Sequence, residues 1–215
     1  MIVYSPINGE VLTDAVKFHP RTAFIMTQLG TPLPKELTKI RKGLKKELKK
    51  FKFKQVDASS LVTGKDFLHK IWKIILGAPL GIAILTEDMP DRTIANIYYE
   101  LGMMDALGKE TLIIKSKDYE IPSDFKRTEY VNFNSRFISS FKKFQSNLNE
   151  REGHYWLMGE LMKADPVLAI DYIKRAYLLR PLKKYLREAN RIYNKNKNNI
   201  DAQSKLHIRS FLKTK

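Results

Sequence analysis

The run LGIAILTED (80–88), followed by ANIYYELGMMDALGK (95–109) and TLIIKS (111–116), decides the fold of this chain. The first piece is continuously apolar and of strand length, the form a strand takes when both of its faces are covered in a parallel sheet. The second has apolar residues at helical spacing and closes on Gly108, which supplies the left-handed position at a helix end. The third is short and apolar again. Strand, helix and strand in that order predict a parallel crossover unit.

The same alternation extends in both directions. TAFIMTQL (22–29) predicts a strand, followed by a loop with Pro32 and Pro34. A helix comes next, with Leu37, Ile40, Leu44 and Leu48 every three or four residues. FKQVDASS (53–60) is the next strand, and GKDFLHKIWKIILGA (64–78) a helix that buries Phe67, Leu68, Ile71, Trp72 and Ile75. NSRFISSFKKFQSNL (134–148) is the closing helix. The expected fold class is α/β, a flavodoxin- or Rossmann-like three-layer arrangement around a parallel sheet of about four or five strands. The first ~20 residues, punctuated by Pro6, Gly9 and Pro20, read as an extension with one short strand. After NEREG (149–153) the pattern is helical only, over roughly 155–164, 166–180, 182–195 and 201–213. Two parts are expected: an α/β domain over residues 1–150 and a basic helical appendage over 151–215.

Composition narrows the chemistry. The chain has 215 residues, 43% of them hydrophobic, and no apolar run of ~18 residues to span a bilayer. No secretory signal opens it, so a cytoplasmic location is expected. The absence of cysteine excludes disulfides, thiolate metal sites and thiol nucleophiles. A formal charge of +16 suits a polyanionic partner, while the lysines of ELTKIRKGLKKELKKFKFK read as a solvated helix face. Residues 151–215 carry fifteen Lys or Arg against six acids, which marks the C-terminal helices for contact with nucleic acid or protein. His19, His69, His154 and His207 lack metal-ligand spacing, so no metal is expected. Ser59 and Ser60 lack a nucleophile elbow, and LVTGKDF lacks the first glycine of a phosphate loop.

In parallel α/β sheets ligands bind at the carboxyl ends of the strands, here residues 27–34, 57–64 and 86–96. On the helix after LGIAILTED, Ile97, Leu101 and Met104 form the buried stripe, bordered by Asn96, Glu100, Met103 and Leu107. Glu100, near Tyr98 and Tyr99 and towards the start of the helix, is expected to be partly desolvated. It then serves as nucleophile, base or stabiliser of a developing cation; otherwise it only complements the helix dipole. Gly102 is expected to let helix and strand approach closely.

AFIMTQLG, KQVDAS, AILTED, NIYYELGMMDALGKETLII and IPSDFKRTEYVNF together resemble, in order and spacing, the TIR-like and nucleoside 2-deoxyribosyltransferase-like superfamily. The resemblance covers about residues 22–133. It implies cleavage of an N-glycosidic bond in NAD or a related nucleotide, with Glu100 as the catalytic carboxylate. It implies substrate contacts from Asn96, Asp57, Asp88, Tyr99 and the loop holding Gln28, Leu29 and Gly30. It further implies a homo-oligomer, with NAD or another nucleotide as substrate and no separate cofactor, and a role in defence against phage. Ile94 stands where deoxyribosyltransferases carry an aspartate, which puts NAD cleavage ahead of base exchange. Nucleoside hydrolysis or transfer, and a non-catalytic nucleotide-binding module, are the alternatives.

Overall fold

The computed structural model describes residues 4–5, 8–60, 67–125 and 128–214. In chain order its strands are β1 (Thr22–Met26), β2 (Lys54–Asp57), β3 (Leu80–Leu85), β4 (Glu110–Lys115) and β5 (Tyr130–Asn132). Its helices are α1 (Lys35–Lys50), α2 (Phe67–Gly77), α3 (Asp91–Ala106), α4 (Phe137–Leu161), α5 (Pro166–Leu179), α6 (Lys183–Asn196) and α7 (Ala202–Leu212). Two compact units emerge. One comprises Thr22–Phe67 and Leu80–Ser146, the other Met1–Arg21, Leu68–Pro79 and Asn147–Lys215.

The first unit is an all-parallel five-stranded sheet in the order β2-β1-β3-β4-β5, the expected α/β class. β1 and β3 are central, and every residue of both is buried, because helices cover the two faces. The connection from β1 to β2 runs one way along the sheet and that from β3 to β4 the other. Right-handed crossovers therefore send α1 and α3 to opposite faces. α1 buries Leu37, Ile40, Leu44 and Leu48, the stripe its sequence prescribes, and Phe51 below it packs on Phe141 of α4. α3 settles on the other face. A Cβ on Gly81 of β3 would stand 3.0 Å from the methyl of Met104, so the missing side chain lets α3 approach. Gly102, expected to have that duty, does not: its Cβ would meet nothing within 4 Å. Gly108 ends the helix as expected, at φ 62°.

Strands end earlier than the sequence suggests. Thr27 and Thr86 already belong to loops, and Ala58 opens a short 3-10 turn, Ala58–Ser60. β5 has only three residues, too few for a period-two pattern to announce it.

In the second unit, the described residues before β1 form no strand but a loop segment with one isolated bridge, Tyr4 to Val11. Leu12, Val16 and Phe18 are buried there, and the Phe18 ring meets Phe211 edge-on at 6.2 Å. Arg21 Nη1 donates to the carbonyl of Leu179 at 3.0 Å. α4 runs unbroken through residues 149–153, across the boundary that the sequence reading set after residue 150. Tertiary contacts hold that stretch helical: Glu152 is buried and accepts a hydrogen bond from Tyr185. The beginning of the α2 pattern, residues 64–66, lies outside the described residues. No helix among the described residues is long and apolar enough to cross a membrane.

Candidate functional site

The order of strands reverses between β1 and β3, so the crevice at their carboxyl ends is where a sheet of this kind receives a ligand. Polar groups without partners collect along that edge. Thr27 Oγ1 and Gln28 Oε1 after β1, Thr86 Oγ1 after β3 and Asn132 Oδ1 at the end of β5 are buried with no hydrogen-bond partner among the described residues. Buried hydroxyls and amides are ordinarily satisfied, so such groups along one edge mark places where a ligand or water completes the set. By strand alternation Thr27 and Thr86 project to the α1 face. These threonines were legible in the sequence, each closing an apolar run, in AFIMT and AILT. The expected ranges 27–34 and 86–96 contain them, but neither was singled out, because a threonine at a strand end is also an ordinary strand residue.

Next to this edge opens a cleft of about 650 Å³ lined by Pro34, Lys35, Glu36, Lys39, Asp88 and Phe133. Pro34 is the residue before the first turn of α1 and provides no side-chain cap, which leaves the leading amides of the helix for other acceptors. Two ammonium groups, two carboxylates and a phenyl ring suit, in turn, a phosphate, sugar hydroxyls and a flat base. Of these lining residues the sequence reading singled out only Asp88 as a substrate contact, with Pro34 falling inside the expected range 27–34. Lys35 and Lys39 were hidden among the other lysines of their helix.

The residues expected at the site separate into three groups. Gln28, Leu29 and Gly30 follow β1 directly, with Gly30 at φ 99°, and Asp88 lies exposed after β3, so these gather at the carboxyl edge. Asp57 is turned inward to structural duty. It pairs with Arg41 Nη2 at 2.6 Å and accepts the Ser59 amide at 3.1 Å. Glu87, not singled out from the sequence, is likewise fixed, accepting from Ser116 Oγ at 2.9 Å and from the Asp118 amide at 3.1 Å. Residues 61–64, part of the expected β2 edge of the site, lie outside the described residues.

Asn96, Tyr99 and Glu100 form the third group, on α3. Asn96 and Tyr99 are exposed, and Tyr99 stands on the solvent side of the helix. Tyr98 instead packs on Phe125 at 4.5 Å, and its hydroxyl meets that of Tyr119 at 3.3 Å. Glu100 flanks the buried stripe of Ile97, Leu101 and Met104. Burial alone pushes its carboxyl up to about 7, and no hydrogen bond or cation among the described residues offsets that. It is not at the start of the helix. Nine residues after Asp91, it lies roughly 14 Å along the axis, level with the middle of β3, since Met104 one turn further on reaches Gly81. The cleft lining does not include it.

Among the described residues no three His, Asp or Glu side chains converge to hold a metal ion. The fold and this edge define a flavodoxin-ordered α/β protein with C-terminal helices. No protein-family model matches the chain, and neither a curated protein nor a solved structure does.

Proposed function

We propose that this chain is an N-glycosidase that cleaves the bond between ribose and nicotinamide, or ribose and base, in NAD or a related nucleotide. One observation carries the reading: a desolvated carboxylate with no partner among the described residues, Glu100, sits on the helix that follows the strand at the reversal of sheet order. Cleavage of the C1′–N bond sends its electron pair to the leaving base and leaves positive charge on the sugar, as in glycoside hydrolysis. Water supplies hydroxide to C1′ and loses a proton. Glu100 in its ionised form stabilises the cation or takes that proton, and a low-dielectric setting strengthens the attraction.

The test is release of nicotinamide or free base from NAD, NADP, nucleosides and deoxynucleotides by the wild type and by Glu100→Gln. The reading expects turnover by the wild type and a loss of ~10²-fold or more in the variant. Equal turnover in both ends the assignment of Glu100.

A second reading, a nucleotide-binding module without catalysis, is favoured by the lining of the cleft, which omits Glu100. It expects a nucleotide affinity that falls on Lys39→Gln, with no turnover under any condition.

A further inference from the structure

α1 carries eight Lys or Arg residues among its sixteen. Arg41 is engaged by Asp57 and Lys50 by Glu47. Lys35, Lys39, Lys42, Lys46 and Lys49 recur at steps of four, three, four and three residues. At about 100° per residue these five fall in a band roughly 80° wide, and they extend about 21 Å along the helix axis. All five are exposed, and none of their ammonium groups has a partner among the described residues. The only acids of α1 lie off the band: Glu36 on its flank and Glu47 buried.

We propose that this line of lysines binds the phosphodiester backbone of a nucleic-acid strand. Five unpaired cations in register along a straight rod match a polymer of regularly spaced negative charge, and displacement of condensed counterions favours such binding. An anionic bilayer fits less well. Helices that lie on membranes turn apolar side chains to the lipid, whereas Leu37, Ile40, Leu44 and Leu48 of α1 are all buried in the core. The line also has a direction. Lys35 and Lys39, its first members, border the cleft with Asp88 and Phe133, so a strand held on α1 ends at the carboxyl edge of the sheet. Recognition is of phosphate and independent of sequence, because lysine is a point charge without the planar fork that reads bases.

The experiment is fluorescence anisotropy of the full chain with labelled DNA and RNA strands of ~20 nucleotides, over salt from ~50 to ~200 mM. One variant carries Lys42→Gln, Lys46→Gln and Lys49→Gln, outside the cleft lining and neutral to helix propensity. A second, of equal formal charge, carries Lys183→Gln, Arg187→Gln and Lys195→Gln on the exposed side of α6. The α1 variant is expected to bind at least ~10-fold more weakly and to reduce the slope of log affinity against log salt by about 2–3. The α6 variant should stay within about twofold of the wild type. Equal losses in both variants would reduce the effect to net charge and overturn the proposal. So would failure of the wild type to bind either strand, whether or not it binds phosphatidylserine vesicles.

Discussion

Arg41 of α1 and Asp57 at the end of β2 are joined across 2.6 Å, and both side chains are largely withdrawn from solvent. With the Ser59 amide on its other oxygen, the Asp57 carboxylate ties helix, strand end and the turn beyond it together. Asp57→Ala is therefore expected to cost about 1–3 kcal/mol in urea unfolding. A double-mutant cycle with Arg41→Ala should show coupling between the two sites. Unchanged stability combined with an altered KM for a nucleotide would make Asp57 a ligand group instead.

Glu100 makes stability depend on pH in a defined direction. Its carboxyl is raised from 4.5 to about 7, so the folded state favours the protonated form. Below about pH 4.5 the group is protonated whether folded or not and imposes no penalty; between there and about 7 an ionisation cost builds up and then persists. Glu100→Gln should accordingly be neutral near pH 4 and more stable than wild type by roughly 2–3 kcal/mol at pH 8. Chemical denaturation at the two pH values measures this. A difference that does not vary with pH would mean that the carboxylate is solvated.

Two glycines of the sheet unit should respond oppositely to alanine. Gly102→Ala adds a methyl at a half-buried helix position where it meets nothing within 4 Å, and should raise stability by about 0.5–1 kcal/mol. Gly81→Ala pushes a Cβ to 3.0 Å from the ends of Met104 and Met26. Those chains are flexible, so the expected cost is about 1–2 kcal/mol rather than collapse. Thermal unfolding of the two variants decides the sign of each.

α4 holds a second such pair. Gly153 faces open space, whereas a Cβ at Gly159 would lie 2.6 Å from Ile173 Cγ1 and 3.2 Å from the carbonyl of Ala169. Gly153→Ala should stabilise by up to about 1 kcal/mol, and Gly159→Ala should destabilise by about 1–3 kcal/mol despite its better helix propensity. Denaturant midpoints for the two, measured together, test whether α5 packs this closely.

The sequence by itself determined the class of fold. The short apolar runs of β1 and β3, alternating with helical patterns, mark strands covered on both sides, and Leu37, Ile40, Leu44 and Leu48 fix the inward face of α1 whatever it packs against. The C-terminal helices were legible for the same reason, as was Gly108, because local spacing and local conformation are written in neighbouring residues. Glu100 too was visible as a carboxylate at the edge of an apolar stripe.

What only the tertiary structure decided is where those residues stand against residues far along the chain. α4 continues past Gly153 because Tyr185 and Ile173, distant in sequence, pack against it. Asp57 is engaged by Arg41, a pairing that a loop aspartate does not advertise. Glu100 lies beside the middle of β3, a level set by the fit of Met104 over Gly81. The groups of Thr27, Gln28, Thr86 and Asn132, buried and without partners among the described residues, line one edge only once β1, β3, β4 and β5 are laid side by side. Periodicity reports which way a side chain faces within its own element. Which atoms meet depends on register, crossover hand and close packing, which involve residues tens of positions apart and leave no local trace.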